Sequence, residues 1–270
     1  MRCHYLSDLH LESQDFGRPL PEGDVLIIAG DLCHARCLDP AQADGYAVAQ
    51  RGRTQRFVDE ALRKFAHVLL VAGNHEHYDG VFEDTTGLLR RYLPGVTVLD
   101  GDVAEIAGVR FFGVTLWTDL GWLDEAGVTV VRKGMGDYFF VKTRAAAPGQ
   151  PPARLTPADT QRAHAAARAR LQDAVASAPH RQTVVVTHHA PSALGLNPRF
   201  AESPLNPAFA SDLDRCVAAL ETVPVWVHGH THVARSYRIG RTLVRSNALG
   251  IAAKGGAAPG FSVRAHFEIG

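Results

Sequence analysis

The stretch VWVHGHTHVA sets His228, His230 and His232 at every second position behind an apolar run. In an unbroken strand the three imidazoles would share one face, but Gly229 between them lets the chain leave the strand. Residues of the same chemistry follow other apolar runs: Asp8 and His10 in SDLH, Asp31 in GD, Asn74, His75 and Glu76 in GNHE, and His188 and His189 in THH. Carboxylate, amide and imidazole without thiolate suit Mn, Fe or Zn rather than a Cys-rich structural zinc. One tetrahedral ion does not use up so many ligands. Two ions about 3.5 to 4 Å apart do, with one carboxylate bridging them and a shared hydroxide poised for in-line attack on phosphorus. Asp31 is the candidate bridge.

Residues spread from position 8 to position 232 need a scaffold that gathers them. The segments VLIIAG (25–30), HVLLVAG (67–73), TVVVTHH (183–189) and VPVWVHG (223–229) are short, β-branched and apolar, and read as strands covered on both faces. Between the first two lies TQRFVDEALRKF, with Phe57, Val58, Ala61, Leu62 and Phe65 at helical spacing. A second helix is signalled before the third strand, with Thr156 as its cap and Pro157 at its first position. Strand, helix, strand is an α/β pattern, in which ligands gather outside the carboxyl ends of the strands. Hairpins are expected to turn at Gly108 and Gly240, and FSVRAHFEI reads as a final strand. The piece from about 118 to 155 has few apolar runs and reads as a cap-like insertion in a single domain of residues 1–270. KGGAAPG (254–260) reads as a flexible loop.

The composition, 46% hydrophobic and 21% charged, is that of a self-folding globular chain rather than a disordered one. Lys plus Arg and Asp plus Glu both total 28, so no net field favours nucleic acid or an anionic membrane. Cys3, Cys33, Cys37 and Cys216 are too few and scattered for a disulfide framework. No apolar run approaches a membrane span, and the opening MRCHYLSDLHLE is unlike a signal peptide. A cytoplasmic protein is expected, with its oligomeric state open.

Taken in order, Asp8-x-His10, Gly30-Asp31, Gly73-Asn74-His75-Glu76, His188 and Gly229-His230-x-His232 resemble the motifs of the calcineurin-like metallophosphoesterases. The resemblance implies a two-layered β-sandwich flanked by helices (α/β/β/α) and two divalent or trivalent metal ions. By the same resemblance Asp8, His10 and His232 hold one ion, Asn74, His188 and His230 the other, and Asp31 bridges them. His188 rather than His189 is chosen because the family histidine precedes a small residue and Pro, as in HHAP. The GNH histidine is not a ligand in the family, so His75 is expected to stabilise the phosphoryl oxygens or protonate the leaving oxygen. Glu76 is expected to support its loop.

The reaction expected is hydrolysis of a phosphate ester by a metal-bridging hydroxide, without a phosphoenzyme. A phosphodiester is favoured because it needs the leaving-group help that His75 can give. A phosphomonoester or a phosphoprotein remains an alternative substrate for the same site, and a metal-binding scaffold without activity is the non-enzyme alternative. The metallo-β-lactamase-type string His-x-His-x-Asp-His fails here, because His232 stands where Asp is required and Val233 where His is required. No P-loop occurs, and no cysteine opens a Cys-x5-Arg loop. His4, His67, His164, His180 and His266 read as ordinary surface or core residues, and His228 as packing or support behind the ligands. His34, His77, His189 and Arg36 lie close enough to the motifs to meet substrate, but their roles stay open, while Trp117, Asp119 and Tyr138 read first as hairpin packing. Cys33 and Cys37 lack the partner pair that a zinc site needs.

Overall fold

The apolar runs become strands whose side chains alternate between two buried layers. The computed structural model describes residues 1–121, 123–145, 147, 149–251 and 257–270. Along the first half run β1 (Arg2–Leu6), β2 (Gly23–Ala29), α1 (Gly45–Lys64), β3 (Phe65–Val71), α2 (Thr85–Tyr92) and β4 (Val96–Leu99). Next come the hairpin β5 (Asp102–Ile106) and β6 (Val109–Val114), then α3 (Glu125–Gly134), α4 (Asp137–Phe140), β7 (Lys142–Thr143) and β8 (Ala153–Arg154). The remainder comprises α5 (Pro157–Ala176), β9 (Thr183–Thr187), α6 (Asp214–Ala218), β10 (Val225–His228), β11 (Ala234–Ile239), β12 (Thr242–Asn247) and β13 (His266–Glu268).

One sheet has the order β13-β1-β2-β3-β4 and the other β11-β12-β10-β9-β6-β5. Strands β1 to β4 are mutually parallel, as are β6, β9, β10 and β12, whereas β13, β5 and β11 pair antiparallel at or near the edges. Within β2, Val25 and Ile27 face the second sheet while Leu26 and Ile28 face α1. In β9 and β10, Val184, Val186, Val225 and Val227 turn inward, and Val185 and Trp226 turn toward α5 and α6. The period-two alternation thus builds three apolar layers, helix on sheet, sheet on sheet and sheet on helix. This is the α/β/β/α arrangement expected from the sequence.

Helix α1 begins earlier than its apolar spacing predicts, at a cap where the Asp44 carboxylate accepts from Ala47 N–H. Its first half buries polar Gln50 and Thr54 instead of an apolar stripe, and the expected Leu62 is exposed. Helix α5 starts as predicted: Thr156 and Asp159 form a reciprocal capping box with Pro157 in the first turn. The hairpins turn at Gly108 and Gly240, both at positive φ. The final strand is shorter than FSVRAHFEI suggests, and residues 254–256 of KGGAAPG lie outside the described residues. Between 118 and 155, α3, α4 and the β7–β8 pair pack Leu120, Val131, Met135, Tyr138, Val141 and Leu155 into a small cluster against Trp117 and Ala208. No helix among the described residues is long and apolar enough to cross a membrane.

Candidate metal centre

The loops after β1, β2, β3, β9 and β10 meet at one place, and the chain turns there through the candidate ligand residues. Asp8, His10, Asp31, His230 and His232 all have φ between 46° and 66°, in the left-handed region that side-chain-bearing residues seldom adopt. Backbone hydrogen bonds lock these turns together: Asp8 N–H donates to Gly30 O, His10 N–H to Asp31 O and Gly229 N–H to His188 O. Glycines supply space at the crossings. A Cβ on Gly73 would lie 2.2 Å from Asp31 Oδ1, and one on Gly229 would lie 2.6 Å from Ala29 O. Gly229 is therefore needed for close approach, while the exit from β10 is made by His230 and His232 themselves.

Asp8, His10, Asp31 and His232 present ligand atoms within 4.8 Å of one another, and Asp31, His188 and His230 form a second such group. Asp31 belongs to both. In the first group His232 Nε2 lies 3.2 Å from Asp8 Oδ1 and 3.2 Å from His10 Nε2, and His10 Nε2 lies 3.7 Å from Asp31 Oδ2. In the second, His188 Nε2 lies 3.4 Å from Asp31 Oδ1 and 3.0 Å from Asn74 Oδ1.

The outer partners settle which ring nitrogen of His10 and His188 is left for a metal. His10 Nδ1–H donates to Glu12 Oε1 at 2.8 Å, and His188 Nδ1–H to Ala29 O at 2.8 Å, so the neutral form of each ring carries its lone pair at Nε2. Asn74 Nδ2 donates to Asp137 Oδ1 at 2.8 Å, and Tyr78 Oη–H donates to the same oxygen at 2.7 Å. The Asn74 carbonyl oxygen is thereby turned toward His188. His230 Nε2 is buried without a hydrogen-bond partner among the described residues. Ligand atoms converging in this way need protons or metal cations among them, and the donor set fits metal ions of the N/O-preferring class.

The electrostatics agree. Asp8, Asp31 and Glu12 are almost wholly buried, and their ion-pair partners among the described residues are histidines alone. Burial would push the Glu12 carboxyl up, but hydrogen bonds from His10 and His75 outweigh it and hold it down at about 2. Burial opposes charge on His188 and His75 too, yet Asp31 and its neighbours push them up to about 10 and about 9. The cluster draws positive charge inward. His230 and His189 behave oppositely, since burial holds both far below the usual range and keeps them neutral.

His75 joins neither of these two groups and forms a third with His10 and Glu12. Its Nδ1–H donates to Glu12 Oε1 at 2.9 Å, and its ring stacks on Tyr78 with centroids 4.3 Å apart. Glu76 supports the loop, accepting from the backbone N–H groups of Asp31, Leu32, Cys33 and Gly73 at 2.6 to 3.2 Å. His228 is engaged through both nitrogens, donating from Nδ1 to Gly229 O and accepting at Nε2 from Tyr237 Oη. His189 packs between Trp117 and His230, with centroid distances of 4.9 and 4.2 Å, and donates to Thr115 O. His77 stacks on Phe82. His34 sets Nδ1 3.6 Å from Asp79 Oδ2 and its ring 5.9 Å from His75. Cys33 and Cys37 are free thiols and join no ligand cluster among the described residues. Sequence reasoning missed Glu12, Tyr78 and Asp137. The period-two placement of Glu12 behind His10 was the one available signal, since metal-binding histidines usually donate to a carboxylate or a carbonyl.

The fold is similar to that of a phosphopantetheinyl hydrolase from Mycobacterium tuberculosis, with TM-score 0.61, 19% identity, and 93% of this chain and 90% of that chain covered. A second solved structure, a Thermus thermophilus protein designated TT1561, gives TM-score 0.47 and 12% identity over 92% of this chain and 88% of that one. No curated protein matches the chain at a significant level. The sequence profile of the calcineurin-like phosphoesterases matches residues 1–234, through the last of the clustered histidines, and the chain accordingly belongs to that family of metal-dependent phosphoester hydrolases.

Proposed function

We propose that the site holds two cations and hydrolyses phosphodiesters. Asp8, His10 and His232 hold one ion, Asn74, His188 and His230 the other, and Asp31 touches both. The observation that carries this reading is the sharing of Asp31 between two groups of ligand-type side-chain atoms, all buried except that of His232. Mn, Fe and Zn suit this donor set. When bound, the ions supply charge neutralisation at phosphorus and a nucleophile generated from water near neutral pH.

The chain's own residues do the rest. Glu12 accepts hydrogen bonds from both His10 and His75, so it orients a ligand and the adjacent acid with one carboxylate. With Nδ1 committed to Glu12, His75 turns Nε2 to the substrate and protonates the departing oxygen. The stacked Tyr78 ring holds the imidazole plane. Asp137, carried on α4, fixes the amide of Asn74, which ties the 118–155 segment to the centre. We read that segment as a cap that shapes the substrate site. A diester carries one negative charge fewer than a monoester and leans on protonation of its leaving oxygen, which an acid of this kind supplies. The free thiols agree with a reducing compartment, and we read the protein as cytoplasmic.

The test is Mn-loaded protein, of measured metal content, assayed on bis(p-nitrophenyl) phosphate and p-nitrophenyl phosphate. Two ions per chain and a higher kcat/KM on the diester are expected. Faster monoester hydrolysis makes it a phosphomonoesterase, and bound metal without turnover on either makes it a scaffold.

A further inference from the structure

Arg36 is part of no hydrogen bond or ion pair through its guanidinium among the described residues, although it directly follows the GDLCHA run that carries Asp31 and His34. Lys142, at the start of β7, has an ammonium group in the same state. Both line one cavity of about 330 Å³, floored by Gly80, Val81 and Leu88. Two acids also line it. Asp84 is matched by Arg144, and Asp79 lies against His34. With Asp84 paired to Arg144, Arg36 and Lys142 outnumber Asp79, and the cavity retains one positive charge in excess.

Both cations are held on fixed backbone. Gln50 exchanges hydrogen bonds with the main chain of His34, and Arg51 clamps the carbonyls of Cys37, Asp39 and Gln42 at 2.9 to 3.2 Å. Lys142 N–H donates to Gly80 O at 3.1 Å, which ties β7 to the loop that carries His75 and Tyr78. Asp79 joins the cavity to His34, and His34 to His75. The cavity thus lies on the side of the centre from which His75 would serve a leaving group.

We propose that this cavity binds a second phosphate, carried by the leaving portion of the substrate past His34, on Arg36 and Lys142. The inference rests on the phosphoesterase reading and narrows it to substrates bearing two phosphates. An arginine fork and a lysine ammonium suit a terminal phosphate, and neither has to give up a protein partner to bind it.

Alkane bisphosphonates of increasing chain length, with alkyl monophosphonates of equal length beside them, serve as rulers. Their binding to Mn-loaded protein is measured by calorimetry, and their inhibition of bis(p-nitrophenyl) phosphate hydrolysis is measured in parallel. At the length that spans the two sites, the bisphosphonate is expected to bind about tenfold tighter than its monophosphonate, with the gain shrinking as salt rises. The gain should vanish in R36A/K142A and persist in R241A, a change at the remote β11–β12 turn. No gain at any length, or a gain unaffected in R36A/K142A, overturns the proposal. A gain that depends on Arg36 and Lys142 in protein that hydrolyses no diester would leave the anion site standing and sink the phosphoesterase reading instead.

Discussion

Replacing Glu12 with Gln separates orientation from charge at the centre. The carboxylate is 6% exposed, and one oxygen accepts from both His10 and His75, at 2.8 and 2.9 Å. An amide keeps an oxygen there but converts two charge-assisted hydrogen bonds into neutral ones. Each loses about 1 kcal/mol, little screened at this burial; the bond to His10 bears on metal binding, where the loss is roughly fivefold, and the bond to His75 bears on its proton affinity. The metal effect approaches the 10- to 100-fold typical of groups that orient metal-bound histidines. Calorimetric titration of chelator-treated protein with Mn should show the site held by His10 weakened by roughly fivefold. The pH profile should respond as well. In the metal-free protein burial lowers the proton affinity of His75, Asp31 and Glu12 raise it, and the imidazole keeps its proton up to about 9. Without the Glu12 charge, His75 loses its proton at lower pH, so the alkaline limb of the rate moves down. Wild-type metal affinity together with an unmoved alkaline limb in E12Q would refute the argument.

Asp31→Asn should empty the metal sites and His75→Ala should leave them filled, with turnover falling by orders of magnitude in the first and by roughly 10²- to 10⁴-fold in the second; metal analysis beside kinetics checks both, and wild-type rates in either would sink the assignment. Chelators should abolish activity and Mn restore it. Because an ion that binds only the folded chain stabilises it by mass action, Mn at a hundredfold excess over its Kd should add about 2.7 kcal/mol and raise Tm by about 5 °C for each site filled; an unchanged melting curve would count against binding. Gly73→Ala places a carbon 2.2 Å from Asp31 Oδ1 and should cost about 1–3 kcal/mol along with metal affinity, read as a Tm lowered by several degrees.

What the sequence made legible follows from periodicity. Strands buried on both faces show as unbroken apolar runs, and the polar residues directly behind them, such as Asp31 after VLIIAG, must lie at the sheet edge. The first half of α1 was hidden because the side chains it buries, Gln50 and Thr54, are polar and serve the backbone of the His34 loop and the helix itself. Asp137 was hidden for another reason: its partner Asn74 lies in a distant loop, and nothing local marks a carboxylate that fixes an amide. Gly229 was noticed for the wrong property. It signals a break in a strand, but the structure uses its missing side chain and gives the positive φ to the histidines. Arg36 and Lys142 converge only through the fold, and spacing along the chain carries no trace of that.

The left-handed turns at Asp8, His10, Asp31, His230 and His232 bear on how this protein responds to engineering. Asp and His tolerate that conformation better than branched residues, yet at roughly 1 kcal/mol each the five hold about 5 kcal/mol of backbone strain. That is comparable with the whole net stability of many domains. Glycine at any of them would relieve the strain and remove a donor atom. A thermostabilising screen read only by melting temperature, run in the presence of a chelator, would therefore be drawn first to the metal centre and would return heat-resistant, inactive variants. Coupling the screen to turnover, or running it with Mn present, reverses the direction of selection at the same five positions.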